Sequence, residues 1–187
     1  MQATTRRSGG RSQTLDAARE EAAIQTVLEG LDAAWNAHDA HAFAAWFTED
    51  ADFTNVRGMQ TSGRERVEWF MAPLFETMFA DSRQHVVRSR IRFVAADLAA
   101  ADVWWTMDGA RTVDGQVRPT RYGLFDLLLR KDRGGWRILV WQNMELAGPP
   151  PEDPSAWRFA VFHNDGPAEQ PAVSSPDARR RQGSGRL

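Results

Sequence analysis

The stretch "ARTVDGQVRP", residues 110–119, places an Asp-Gly pair between two long runs of strand-forming residues. Asp-Gly between extended runs is the strongest short-range signal for a β-hairpin, because both residues tolerate the left-handed backbone of a tight turn. We therefore expect strands over 101–112 and 116–130 to pair antiparallel. Two further runs of period two, at 85–94 and 135–145, extend this pair into a four-strand meander.

The chain before residue 84 shows helical spacing instead. Apolar residues recur every three or four positions across 16–37, which predicts an amphipathic helix. Asp39 is expected to cap a short second helix, and Ser62 with Glu65 matches the capping-box pattern for a third. Pro73 lies inside that third helix and should kink it or split it. Helices followed by antiparallel strands predict an α+β fold, with the helices on one face of a curved sheet.

The length of 187 residues suits one domain with tails. We expect a flexible tail over 1–14, the folded domain over 15–147, and a Pro- and Arg-rich, mostly disordered tail over 148–187. The second tail holds seven of the nine prolines. Such a segment cannot bury enough apolar surface to offset the entropy lost on ordering.

Charge and cysteine content exclude several classes of function. A net charge of −2 gives no attraction to nucleic acid or to an anionic membrane, so neither partner is expected. The absence of cysteine rules out disulfides, zinc-thiolate sites and iron–sulfur clusters. The N-terminus lacks the apolar segment of a signal peptide, and no apolar run is long enough to span a bilayer. A cytoplasmic protein is the expectation.

The register of the hairpin decides which residues share a sheet face. If Val113 faces Gln116, then Trp105 faces Leu124 and Val103 faces Asp126. One face is then mostly apolar with a few polar groups, as in a ligand cavity: His85, Val87, Ser89, Ile91, Val103, Trp105, Met107, Tyr122, Leu124 and Asp126. The other face suits a sheet surface half solvated and half buried in a dimer: Arg88, Arg90, Arg92, Trp104, Phe125, Leu127 and Leu129. A β-bulge would exchange parts of these two sets.

Three amides are candidate ligand contacts. In "DFTNVRG", residues 52–58, Asn55 shares a strand face with Phe53, although a buried amide without partners costs about 1–3 kcal/mol. Asn55, Gln142 and Asn143 either orient a ligand or satisfy backbone groups at the strand ends. The expected ligand-binding set is Phe53, Asn55, Trp105, Met107, Gln142 and Asn143.

Proton transfer next to a carbonyl needs a base and a hydrogen-bond donor in a dry pocket. His85, Tyr122 and Asp126 are the candidate catalytic residues on the predicted inner face. The alternatives are that Asp126 pairs with an arginine at the sheet edge and that His85 only begins a strand. His38 and His41 stand three residues apart, but Asp39 caps a helix between them and turns them away from each other, so no metal site is expected.

Three segments resemble the SnoaL-like proteins of the NTF2-like superfamily: "AAWNAHDAHAFAAWFTEDADFTNVRG" (33–58), "SGRERVEWFMAPLFETMFADS" (62–82) and "RKDRGGWRILVWQNM" (130–144). Within that family the chain is most similar to the group associated with enediyne biosynthesis, known as SgcJ/EcaC oxidoreductases. The resemblance covers roughly residues 20–147. It implies a cone in which a strongly bent antiparallel sheet and three helices enclose a cavity, and in most cases a homodimer.

The resemblance also implies a range of functions, because this fold hosts isomerases, cyclases, dehydratases, epoxide hydrolases, binders and association modules. By analogy with ketosteroid isomerase, Asp126 or His85 would take a proton and Tyr122 would stabilise the oxyanion. The sequence has no G-x-G-x-x-G, P-loop or cysteine pair, so no cofactor is expected. No nucleotide-binding or redox motif in the sequence supports the oxidoreductase label.

Two hypotheses follow. The first is binding of, or cofactor-independent chemistry on, a small apolar carbonyl compound such as a polyketide intermediate. The second is a non-catalytic dimerisation module that uses Trp104, Phe125, Leu127 and Leu129 on the outer sheet face.

Overall fold

The computed structural model of this chain describes residues 9–150 and residue 152, with side chains from residue 16 onward. The predictions for the two tails fall mostly on the remaining residues and lie outside this description. The elements are α1 (Gly9–Asn36), α2 (Ala40–Ala44), β1 (Phe47–Thr54), β2 (Gln60–Ser62), α3 (Arg64–Glu76), β3 (Arg83–Ala95), β4 (Leu98–Asp108), β5 (Arg121–Asp132) and β6 (Gly135–Leu146). The predicted α+β fold is confirmed: a curved six-stranded sheet carries the N-terminal helices.

Helix α1 begins before its predicted start and ends next to the predicted last residue. Its apolar stripe is buried as the spacing predicts: Ile24, Val27, Leu28, Leu31, Ala34 and Trp35. At its end, the Asn36 amide accepts a hydrogen bond from the backbone N–H of Gln84 and donates one to the carbonyl of Gln84, each at 2.8 Å. This double contact ties α1 to the start of β3.

The other predicted helix ends had mixed outcomes. Asp39 does cap α2, because its Oδ1 accepts the backbone N–H of Ala42 at 2.9 Å. The predicted capping box is wrong: the N-cap of α3 is Gly63, at φ 96°, and it makes no side-chain cap. Ser62 instead belongs to β2, and its hydroxyl donates to Asp52 at 2.6 Å. Pro73 lies inside α3 without splitting it.

The strand order is β2-β1-β6-β5-β4-β3. Strands β3 to β6 form the predicted antiparallel meander. Strand β1 adds to the free edge of β6 in parallel, so the sheet is mixed rather than wholly antiparallel. The β1–β6, β3–β4 and β5–β6 pairings each contain a register shift, the kind of irregularity that bends a sheet. Within the described part of the chain, no helix has both the length and the apolar character needed to cross a membrane.

The predicted register of the β4–β5 hairpin is wrong by one residue. The N–H of Thr112 donates to the carbonyl of Gln116 at 2.8 Å, so the loop between these two residues has three members, not two. Gly115 takes the left-handed conformation, at φ 83°, as the last of the three. Trp105 therefore faces Gly123 rather than Leu124.

This shift exchanges the two faces of β5, because neighbouring strand residues point to opposite sides. Phe125, Leu127 and Leu129 were predicted on the outer face but are 1%, 1% and 0% exposed in the core. Tyr122 and Asp126 were predicted inside, but they pair with Thr106 and Asp102 on the outer face.

A β-bulge explains why part of β3 was also assigned to the wrong face of the sheet. Val86 pairs with Trp105 and Arg88 pairs with Trp104, so Val87 is an extra residue on β3. Residues before the bulge are therefore displaced by one position from the expected alternation. His85 consequently pairs with Thr106, on the outer face, and Val87 is 55% exposed.

An aromatic cluster forms the centre of the core. The ring of Phe125 lies 4.0 Å from that of Trp141, and Phe53 stacks on Trp141 at 5.8 Å. Trp105 stacks on the other side of Phe125 at 5.5 Å. Rings at these separations contribute about 0.5–1.5 kcal/mol per pair beyond their burial. Of these rings, Phe53, Trp105 and Trp141 form one wall of the cavity described next.

Candidate functional site

A cavity of about 100 Å³ lies against the inner sheet face, beside α1 and α3. Aromatic rings and methionines form most of its lining: Trp35, Phe53, Phe70, Phe79, Trp105, Trp141, Met59, Met71, Met78 and Met107. Five polar side chains interrupt that lining: Asn55, Arg57, Arg118, Arg121 and Asn143. An apolar hollow with a few polar groups is the usual composition of a small-molecule site.

The volume limits the size of a guest. Sites for drug-sized ligands measure about 300–1,000 Å³, whereas a cavity of about 150 Å³ holds benzene. The space here is smaller than that benzene cavity, so the largest guest it suits is a one-ring compound, and only if part of the lining moves. The methionines can widen it, because their unbranched side chains adopt many rotamers at low cost.

Gly123 explains how Trp105 reaches across the sheet. The Trp105 ring occupies the space that a Cβ on Gly123 would fill. The indole N–H of Trp105 donates to Oδ1 of Asn143 on β6 at 3.2 Å. Glycine at this position thus lets a large ring lie flat over β5 and form part of the cavity wall.

Arg121 is the buried charge of the site, with 7% exposure. Its Nε and Nη2 donate to the two carboxylate oxygens of Glu145, at 2.7 and 3.0 Å. Its Nη1 faces the sulfur of Met107 at 3.8 Å, and its Cζ lies 5.7 Å from the Trp105 ring. A thioether is a weak acceptor, so one edge of this guanidinium is poorly satisfied.

A second arginine contacts the same carboxylate, and a third acts on it through its charge. Arg118 donates from Nη2 to Glu145 at 3.2 Å, and its side chain is 30% exposed. Hydrogen bonds from Arg121 lower the pKa of Glu145 below its usual value, and the charges of Arg121, Arg118 and Arg57 add to this effect while burial opposes it. Glu145 is therefore ionised at neutral pH, and its carboxylate contacts two guanidinium groups, those of Arg118 and Arg121.

Asn55 satisfies backbone groups. Its Oδ1 accepts the N–H of Arg57 at 2.9 Å and the N–H of Met59 at 3.0 Å, which closes the turn after β1. The amide thereby positions Arg57 and Met59 at the cavity. This is the second of the two roles predicted for the amides.

The structure brings together five of the predicted site residues: Phe53, Asn55, Trp105, Met107 and Asn143 line the cavity. Gln142 does not, since it pairs with Asp126 on the outer face. His85, Thr106 and Tyr122 form a row across three strands on that outer face. Asp126 lies four residues further along β5, roughly 13 Å from Tyr122.

The predicted catalytic group of His85, Tyr122 and Asp126 is thus absent from the cavity, because the three-residue hairpin loop and the bulge at Val87 turn all three outward. The charged residues of the site that the sequence did not predict are Arg57, Arg118, Arg121 and Glu145. The signal for Arg121 was the alternation at Arg121, Gly123, Phe125, Leu127 and Leu129, which would have placed an arginine at the start of an otherwise apolar inner face.

No group of three or more potential ligand side chains able to hold a metal ion occurs within residues 9–150 and 152. His41 instead contacts Glu68, with its Nδ1 3.0 Å from a carboxylate oxygen. His38 contacts the carbonyl of Ser82 through Nε2 at 3.1 Å.

Known structures share this fold. A Caulobacter vibrioides protein with a cystatin-like fold is 28% identical, at a TM-score of 0.64, over 75% of this chain and 94% of that one. An NTF2-like protein from Novosphingobium aromaticivorans is 18% identical, at a TM-score of 0.65, over 83% and 97%. A candidate scytalone dehydratase from the same organism is 19% identical, at a TM-score of 0.62, over 71% and 88%. The last two likenesses show the fold alone.

None of the curated proteins is significantly similar to the chain. The family model of the SnoaL-like domain matches residues 27–136, which is more than half of the 187 residues. That segment runs from the buried stripe of α1 to the start of β6 and contains most of the cavity lining. The chain therefore belongs to the SnoaL-like domain family, within the NTF2-like superfamily.

Proposed function

We propose that this protein binds a small, largely apolar carbonyl compound in the cavity of its SnoaL-like domain. The observation that carries the proposal is a hollow of about 100 Å³ walled by aromatic rings and methionines, with the buried Arg121 at its side. An apolar wall contributes affinity, and a single strong donor fixes the orientation of an oxygen atom.

Binding is better supported than proton transfer. Among the described residues that line the cavity, the ionisable ones are the arginines 57, 118 and 121, and no carboxylate or imidazole lines it. A guanidinium polarises a carbonyl oxygen and stabilises an oxyanion, but it is too weakly acidic to exchange protons near neutral pH. Cofactor-independent catalysis in this site would therefore act through electrostatic stabilisation by Arg121.

The test uses acetophenone, a one-ring aromatic ketone, as the probe. Titration of the full-length protein, followed by NMR, should shift the indole N–H resonance of Trp105, which lines the cavity. Met78→Trp, which fills the cavity from α3's end, should abolish binding. His85→Ala, Tyr122→Phe and Asp126→Asn alter the outer face and should leave the dissociation constant unchanged.

Two outcomes would reject the proposal. One is that acetophenone moves no resonance from the cavity lining at millimolar concentration. The other is that an outer-face substitution weakens binding as much as Met78→Trp does. If Met78→Trp fails to fold, contacts between the ring protons of the probe and the Trp105 indole, measured by nuclear Overhauser effects, decide the matter.

The second candidate function is homodimerisation through the outer sheet face. The corrected register places Tyr122 and Leu124 on this face together with Met144, which is 42% exposed. The face also carries charges of both signs, with Arg90 of β3 paired to Asp102 of β4 and with Asp126 on β5. A face that combines an apolar centre with charges of both signs can pair with itself across a two-fold axis, so a second copy of the chain is the fitting occupant.

Light scattering should find a dimer at micromolar concentration, and Leu124→Arg should convert it to a monomer. A stable monomer of the unmodified protein would reject this candidate. Membership of the SgcJ/EcaC group and a role in polyketide-like secondary metabolism are also proposals, and they rest on the sequence resemblance.

A further inference from the structure

We infer that the natural ligand of the cavity is a carboxylate: a small monoanion whose one-ring apolar body lies on the aromatic wall and whose carboxylate contacts Arg121 and Arg118. This inference rests on the proposed binding function and narrows it to a chemical class. Its evidence is the arrangement of charge at the cavity.

The first step is the charge balance around Glu145. Arg57, Arg118 and Arg121 all line the cavity, and all three act on the carboxylate of Glu145. Arg118 and Arg121 both contact this one carboxylate, and Arg57 adds a third positive charge to the cavity lining, so among the described lining residues the positive charges exceed the negative charge of Glu145. A carboxylate ligand would compensate one of them within a partly desolvated site, where charge-assisted hydrogen bonds are strong.

The second step is the hydrogen bonding of Arg121. Glu145 occupies one edge of its guanidinium through Nε and Nη2, while Nη1 lies 3.8 Å from the Met107 sulfur. A buried, charged donor that faces a thioether is poorly satisfied. An oxygen anion that entered the cavity from the side of Met107 would replace the sulfur with a far stronger acceptor.

The third step is the choice of anion. The cavity volume of about 100 Å³ limits the apolar body to one ring, which the methionines would have to move to admit, and its walls are mostly apolar. A singly charged carboxylate can keep its apolar body on Trp105 and reach Arg121 with its oxygens. A phosphate group is bulkier and carries more charge, which suits this apolar space less well.

The experiment compares two probes of nearly equal shape, benzoate and the neutral benzamide, on the full-length protein at pH 7 and low salt. Benzoate should bind at least tenfold more tightly than benzamide. Arg118→Gln should weaken benzoate binding about threefold and leave benzamide unaffected. The double substitution Arg121→Gln with Glu145→Gln removes the buried pair together and should abolish the preference.

Arg92→Gln is the matched control, because it removes one positive charge from the outer sheet face and should change neither dissociation constant. If the double variant does not fold, Arg57→Gln combined with Arg118→Gln takes its place, and this pair should reduce the preference for benzoate. Inorganic phosphate is the competing anion and should not displace benzoate at equal concentration.

The outcomes separate this inference from the proposed function. Equal affinity for benzoate and benzamide, both lost in Met78→Trp, would overturn the carboxylate assignment and leave cavity binding intact. Displacement of benzoate by phosphate, or an equal loss in Arg92→Gln and Arg118→Gln, would also overturn it. Failure of benzamide, benzoate and acetophenone to bind at all would overturn both proposals.

Discussion

The two faces of β5 are built from alternate residues of one strand, yet they differ in burial and in charge. The inner face begins with the buried Arg121, continues through Gly123 and Phe125, and belongs to the core and the cavity. The outer face carries Tyr122 and Asp126 and is half-buried or exposed. The difference teaches that burial, rather than the chemical suitability of a side chain, determines which ionisable group reaches the cavity.

The largest expected effect comes from truncating the inner face. Phe125→Ala removes a ring that packs 4.0 Å from Trp141 and 5.5 Å from Trp105. It should lower the free energy of unfolding by about 3–5 kcal/mol, because the cavity left by a large core side chain cannot collapse fully. Urea denaturation followed by circular dichroism measures this change.

Leu124→Ala is the matched substitution on the outer face, one residue away. It should cost about 1 kcal/mol, since Leu124 is only half-buried. Measurement at two protein concentrations separates any contribution from association. Equal losses in the two variants would contradict the assigned register of β5.

The sequence alone was sufficient for most of the fold. Period-two runs located β3 to β6, and the spacing of Ile24, Val27 and Leu28 located α1, because burial of one face leaves a pattern at every position of an element. The parallel addition of β1 to β6 left no such pattern. Strands β1 and β6 are more than 80 residues apart in the chain. Their pairing depends on how the helices position β1 against the sheet, which local periodicity does not encode.

The candidate site was less predictable, because a single residue added to a loop or strand changes the sheet face on which the following side chains lie. Asp114-Gly115 fits both a two-residue and a three-residue loop, and the choice between them exchanges Tyr122 with Arg121 on the inner face. The loop length could have been chosen by comparing the two possible inner faces of β5. One inner face contains Phe125, Leu127 and Leu129, and the other places Asp126 in the core. The desolvation cost of a carboxylate without a partner favours the first.

A smaller effect tests how Trp105 lies over β5. Gly123→Ala should lower the free energy of unfolding by about 3 kcal/mol, because the new methyl group would overlap the Trp105 ring and lie 2.6 Å from the carbonyl oxygen of Met144. Displacement of the ring should also break its hydrogen bond to Asn143 and red-shift the tryptophan fluorescence.

Gly134→Ala is the control for this substitution. Its new methyl group would meet only the end of the Arg137 side chain, at 2.7 Å, and that side chain can move away. A stability loss in Gly134→Ala as large as that in Gly123→Ala, with unchanged fluorescence in both, would contradict the described position of Trp105.

The smallest effect concerns the charge at the inner end of β5. Glu145→Gln should cost about 1–2 kcal/mol at pH 7, between the values for exposed and buried ion pairs, since the Glu145 side chain is 31% exposed and Arg121 is buried. The pKa of Glu145 is lower in the folded protein than its ordinary value of 4.5. Its contribution is therefore complete above that value and is lost as the pH falls through the lower, folded-state pKa.

The free energy of unfolding of the unmodified protein should consequently fall toward that of Glu145→Gln as the pH is lowered below 4.5 and through the lower, folded-state pKa. Glu76→Gln, which removes one negative charge at the exposed end of α3, should show no such convergence. Urea denaturation across this pH range measures both. A difference between Glu145→Gln and the unmodified protein that stays constant with pH would mean that Arg121 does not depend on the ionised carboxylate. In that case the inner face of β5 would hold its arginine by packing, as it holds Phe125.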